Sequence, residues 1–131
     1  MYLGLDIVPG KNVDIVCPAH EYNGGDGSFD VVMSTNSLEH DMYYKLTLKK
    51  MVKLLKSGGL MFFSACYSRK EHGTKRTSPS QSGTSQIKGW ENYYKNLDLD
   101  DVRNSIDLAN EFEFYELTIE HKDIRFVGIK K

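Results

Sequence analysis

The sequence predicts an α/β domain built on a mostly parallel sheet and closed by an antiparallel hairpin. Three observations predict it. Four short apolar runs, YLGLDI, VDIVC, FDVVMS and LMFFSAC, lack polar alternation, as strands covered on both faces do. A helical repeat separates the third run from the fourth. The last segment alternates with a period near two around a tight turn. At 131 residues, 40% of them hydrophobic, the chain suffices for one domain with its own core, 1–131, without metal or disulfide support.

Tyr2 to Ile7 reads as a short buried strand whose last polar residue is Asp6, and the Pro9-Gly10 pair that follows is a turn signal. Val13 to Cys17 is a second buried strand, stopped by Pro18. The glycine-rich NGGDGS forms a loop before Phe29 to Ser34, the third strand, which ends abruptly in STNSLEH. So many polar groups at the end of a core strand point to a ligand there.

Tyr44, Leu48, Met51, Val52 and Leu55 then recur at helical spacing, with Asp41 placed to cap the start and Ser57-Gly58-Gly59 to end the helix. The lysines between them, Lys45, Lys49, Lys50, Lys53 and Lys56, form either a solvated face or a basic patch. Leu60 to Cys66 is the fourth strand. From about residue 68 to 89 the chain is a long polar loop, either a lid or a mobile segment. WENYYKNL is a short helical or turn segment, and a helix capped by Asp98 or Asp100 extends through Asn110. The final hairpin turns at His121-Lys122-Asp123, with Tyr115, Leu117 and Ile119 assigned to one face and Ile124 and Phe126 to another.

The charge is balanced, 17 basic against 18 acidic residues, so no nucleic-acid partner is expected. Cys17 and Cys66 are isolated, with no metal-ligand spacing, and read as reduced thiols. No apolar run approaches the roughly 18 residues of a membrane span, and no basic leader precedes YLGLDI. A soluble cytoplasmic protein without a membrane partner is expected.

Taken in order, these segments resemble the class I S-adenosylmethionine-dependent methyltransferases from their second strand onward. YLGLDI is similar to the family's second strand, VDIVCPAHEY to the third strand and adenine loop, FDVVMSTNSLEH to the fourth strand in the type 11 branch, and MVKLLKSGGLMFFS to the following helix, glycine turn and fifth strand. The resemblance implies a three-layer Rossmann-like methyltransferase sheet and S-adenosylmethionine as cofactor, with S-adenosylhomocysteine as product. It implies cofactor contacts from Asp6, Ala19, His20, Ser34 and Asn36, and candidate bases at His40 and His72. Arg69, Lys75 and Arg76 would meet an anionic acceptor, and Trp90, Tyr93 and Tyr94 either wall its pocket or pack a helix.

Three departures accompany the likeness. The family's first strand and glycine-rich GxGxG turn have no counterpart, and Pro18 stands where an adenine-binding acid is usual. Loss of the first strand leaves a gap that another pairing must fill, so an exposed edge and a dimer or larger oligomer are expected. The link from Ile7 to Val13 is also shorter than the dozen or so residues of a usual parallel crossover, so the intervening helix must be lost. The leading expectation is methyl transfer to a small-molecule or sugar-like acceptor by such an enzyme or its C-terminal portion. The alternative is a non-catalytic methyltransferase-like binding or assembly module.

Overall fold

The computed structural model describes residues 1–131. Strands β1 (Leu5–Asp6) and β2 (Ile15–Val16) pair in parallel as a two-stranded ladder. A separate four-stranded sheet holds β3 (Phe29–Thr35), β4 (Leu55–Cys66), β5 (Phe112–Glu120) and β6 (Asp123–Lys130), in the order β3-β4-β6-β5. β3 and β4 run parallel, and β6 runs antiparallel to both β4 and β5.

The short link between β1 and β2 holds no helix, as the sequence requires, and their parallel pairing survives because each strand is so short. Two residues span only about 7 Å, a return that a short loop can make. Gly4 anchors the arrangement. Its N–H donates to Asp14 Oδ2 at 2.8 Å, and its carbonyl accepts from the N–H groups of Asp14 and Ile15. A Cβ at Gly4 would lie 1.8 Å from the Asn12 carbonyl oxygen, so no other residue fits without moving the backbone. No strand of this chain pairs with the outer edge of β3, so the expected gap is not filled from within residues 1–131.

Helix α1 (Tyr44–Leu54) buries Tyr44, Leu48, Met51 and Val52 against the sheet and leaves Lys45, Lys49 and Lys53 in solvent, the solvated face of the two readings. It ends before the glycine pair because Leu55 is already extended and pairs with Phe29. Gly58, at φ +79°, then lets β4 shift register against β3. Asp41 does not sit at the cap itself. It precedes the helix, accepting from the Tyr43 N–H and the Thr47 hydroxyl.

The expected helix from Asp98 to Asn110 is broken in two, α2 (Leu99–Ser105) and α3 (Leu108–Glu111), with Ile106 extended between them. Asp98 and Asp101 form a reciprocal capping box at the start of α2, and Asp101 also accepts from the Tyr44 hydroxyl at 3.0 Å, tying α2 to α1. WENYYKNL forms turns without helix.

The core lies between these helices and one face of the large sheet. Met61, Phe63, Ala65, Ile124 and Phe126 are fully buried there, with Phe63 stacked on Phe126 at 5.2 Å. The hairpin register differs from the expectation. Leu117 lies directly opposite Phe126, and Ile119 opposite Ile124, so all four share one face. The counting failed because residues facing each other across a turn share a side of the sheet whatever their order along the chain.

The other face carries Val31, Met33, Phe114 and Val127, all exposed. The layer that covers this face in a three-layer arrangement is not supplied by residues 1–131. At the far end of β6, Lys130 Nζ donates to the carbonyls of Val52 and Leu55 at 2.8 and 3.0 Å, closing the C-terminal turn of α1. Lys131 makes the matching contact to Ala109.

Candidate functional site

The carboxyl ends of β1, β2 and β3 meet at one cavity of about 340 Å³, within the roughly 300–1,000 Å³ usual for small-molecule sites. Asp6 enters from β1, Pro18 and Ala19 from the end of β2, and Thr35, Asn36 and Ser37 from the end of β3. His40 and Asp41 follow on the approach to α1, and Trp90 closes a side.

The long polar loop forms part of the wall. Gln81 to Thr84 line the cavity, and Gly83 packs so closely on the β1–β2 link that a Cβ would lie 2.4 Å from Val8 Cγ2. The loop is built around Glu71, which accepts from Arg76 Nε at 2.8 Å and from the hydroxyls of Thr74 and Thr77. The Arg76 hydrogen bonds pull the Glu71 carboxyl down to about 2. These contacts were invisible in the sequence, because hydroxyl-rich composition is shared by ordered and unordered loops.

Asp6 uses one carboxylate oxygen to cap its own turn, accepting from the Val8 N–H at 3.1 Å, and Oδ2 takes no hydrogen bond from the protein. The turn-capping contact of this residue is thus formed, and Oδ2 is left free of protein partners. Asn36 sits at φ +46°, a left-handed position that asparagine tolerates. Its side chain turns inward, accepting from the Ser64 hydroxyl at 2.6 Å and donating to Asp123 at 3.3 Å, so it offers the cavity its backbone. Ser34 lies one step behind the wall, its hydroxyl 2.7 Å from that of Ser37. His20 is also behind the wall, its ring 4.3 Å from that of Tyr43, which in turn contacts Trp90.

His40 is buried, and its Nδ1 has no partner. Burial lowers its pKa below the usual imidazole range, against the opposing charge of Glu39 and with help from His72. Gly73, at φ +64°, presses on the ring so closely that a Cβ would lie 2.8 Å from His40 Cε1. His72 does not line the cavity. Its ring stands 5.3 Å from His40 and 5.1 Å from Tyr94, edge-on to both.

The basic residues of the loop are largely committed elsewhere. Arg69 grips Asp123 through two hydrogen bonds of 2.8 and 2.9 Å, and Arg76 is held by Glu71. Thr35, Ser37 and Asp41 also line the cavity, the first two within the polar STNSLEH run that ends β3 and Asp41 from a position read in sequence only as a helix cap.

A family model for a methyltransferase domain matches residues 6–63, a little under half of the chain. No curated protein matches by sequence. Among solved structures, an S-adenosylmethionine-dependent methyltransferase of Thermotoga maritima aligns over 92% of this chain and 65% of its own, at 14% identity and a TM-score of 0.58. A methyltransferase of Bacillus halodurans aligns over 98% and 82%, at 10% identity and a TM-score of 0.62. The 1,6-didemethyltoxoflavin-N1-methyltransferase of Burkholderia thailandensis, solved with that substrate and S-adenosylhomocysteine, aligns over 97% and 60%, at 16% identity and a TM-score of 0.59.

The fold is that of the class I methyltransferases. The type 11 resemblance read from the sequence holds, with the match at residues 6–63 running from the last residue of β1 into β4. The chain spans 65% and 60% of the first and third of these methyltransferases. Within this fold, the cavity lies beyond the carboxyl ends of parallel strands, where open α/β sheets bind their ligands. No helix is long and apolar enough to cross a membrane.

Proposed function

We propose that the cavity binds S-adenosylmethionine and that the chain, or a longer protein that contains it, transfers the methyl group to a small-molecule or sugar-like acceptor. The observation that carries this reading is the convergence of Asp6, Ala19 and Asn36 on one hollow with His40 at its side. The residues fit the cofactor: Asp6 has a free carboxylate oxygen at a strand tip, where it can accept from a ribose hydroxyl. The Burkholderia relative solved with S-adenosylhomocysteine supports the same choice.

When bound, the cofactor supplies an electrophilic methyl on a sulfonium. The chain's own part is to hold the acceptor in line with it, exclude water and accept the acceptor's proton. His40, which lines the cavity, is the candidate for the last of these. Ser34 and His20 support the wall through Ser37 and Tyr43. His72 backs His40 from outside the cavity.

Calorimetry with S-adenosylmethionine and S-adenosylhomocysteine tests the reading. Binding at millimolar Kd or tighter is expected, and a folded sample that binds neither overturns it.

One observation favours the second reading, a non-catalytic methyltransferase-like module. The β1–β2 ladder has no hydrogen-bonded neighbour, and the outer edge of β3 is open beside exposed Val31 and Met33. The same open edge supports self-association as a dimer or larger oligomer. Two free cysteines support a cytoplasmic setting.

A further inference from the structure

Behind His40, outside the cavity, three ligand-bearing side chains converge. Glu39 Oε1 lies 3.1 Å from Cys66 Sγ. A carboxylate oxygen of Glu39, the Cys66 sulfur and a ring nitrogen of His72 all fall within 4.8 Å of one another. Glu39 and Cys66 are fully buried, and His72 closes the group from the half-exposed loop.

The electrostatics of this group are incomplete. Glu39 is 0% exposed, yet no lysine or arginine pairs with it. Its only side-chain hydrogen bonds come from the Cys66 thiol, a weak donor, and from the Cys66 N–H at a long 3.5 Å. An ionised carboxylate buried with so little compensation is costly. Neighbouring His40 adds a second buried polar atom without a partner, Nδ1.

His72 carries an independent sign. Its Nδ1 stands 2.9 Å from the Lys70 carbonyl oxygen, which can only accept, so Nδ1 carries a proton and the lone pair of the neutral ring belongs to Nε2. Histidines that ligate metals characteristically donate their other ring N–H to a carbonyl or carboxylate in this way.

We propose that Glu39, Cys66 and His72 form a binding site for a borderline-soft divalent cation, zinc being the best match, with a water completing a four-coordinate shell. Carboxylate oxygen, thiolate sulfur and imidazole nitrogen are zinc's ordinary donors. The charges balance: a carboxylate, a thiolate and a divalent cation sum to zero. On binding, one sulfur–metal bond forms, the S–H bond breaks, and its proton leaves to solvent. Such an ion would tie the long loop to the end of β4 and hold the wall against which His40 rests. The site is distinct from the cofactor cavity and does not depend on methyl transfer.

Cobalt(II) chloride added to the metal-free, untagged full chain tests this. One equivalent should bind and produce a near-ultraviolet thiolate-to-cobalt band that zinc chloride bleaches, and zinc should raise the melting temperature. Cys66→Ser should abolish the band, and His72→Ala, on the half-exposed loop and so safe for folding, should weaken affinity at least about tenfold. Absence of the band, or a band that survives in His72→Ala at unchanged affinity or vanishes only in Cys17→Ser, overturns the proposal.

Discussion

Phe63, in the strand beside β3, and Asp6, at the tip of β1, are held in different ways. Phe63 is fully buried, stacked on Phe126 and wrapped by α1 and α2, inside a core of 16 buried residues that spans most of the four-stranded sheet. Asp6 ends a ladder of two residues per strand, fixed by Gly4, Asp14 and the loop contact at Gly83. One half of the site stands on burial of apolar area, the other on a few backbone hydrogen bonds. The difference predicts that ligand binding and global stability can be perturbed separately in this chain.

The sharpest way to break the comparison is at its strong end. Phe63→Ala should cost about 3–5 kcal/mol in urea unfolding and remove most of the cooperative transition. A loss below about 1 kcal/mol would mean that the core is not continuous. Next, Gly4→Val should disorder the ladder through the clash with the Asn12 carbonyl. It should weaken S-adenosylmethionine binding by about tenfold or more, roughly 1.4 kcal/mol. Hydrogen exchange in β4 and β6 should stay unchanged. If β4 and β6 lose protection as well, the two halves are one cooperative unit.

A smaller effect lies in the helix layer. Burial pushes the Asp101 carboxyl up, but hydrogen bonds from the Asp98 N–H, Lys95 and the Tyr44 hydroxyl outweigh it and hold the pKa below the usual carboxylate range. Its folded pKa is depressed, so its stabilisation is present above about pH 4, the unfolded value, and is lost as pH falls through the lower folded value. Asp101→Asn should cost about 1–2 kcal/mol at neutral pH, and that difference should shrink in acid. The smallest effect on folding should come from Asp6→Ala. Its melting temperature should match the parent within error, while calorimetry shows about tenfold weaker cofactor binding. Equal affinity would remove Asp6 from the ribose role.

The sequence revealed most of this architecture where apolar pattern and packing agree. FDVVMS and LMFFSAC are adjacent parallel strands, and the amphipathic repeat around Leu48 is the helix between them. It misjudged places where a distant partner decides. Pairing of Leu55 with Phe29 ends α1 early, and Ile106 turns extended between two helical pieces although nothing in the residue type forbids a helix. In the site, strand ends were legible because polarity changes sharply there. The inward turn of the Asn36 amide was not legible, since its partners Ser64 and Asp123 lie far along the chain. Nor was the burial of Glu39 beside Cys66, because charged residues near a helix start usually face water.

The amine of Lys130 on the carbonyls of Val52 and Leu55, at the end of α1, has a practical consequence. It makes the final strand a clasp for a helix far upstream, so clipping or fusing this end should fray the turn that orients Leu54 and Leu55. A label or affinity handle is better placed at Met1, which projects fully into solvent and holds nothing in place.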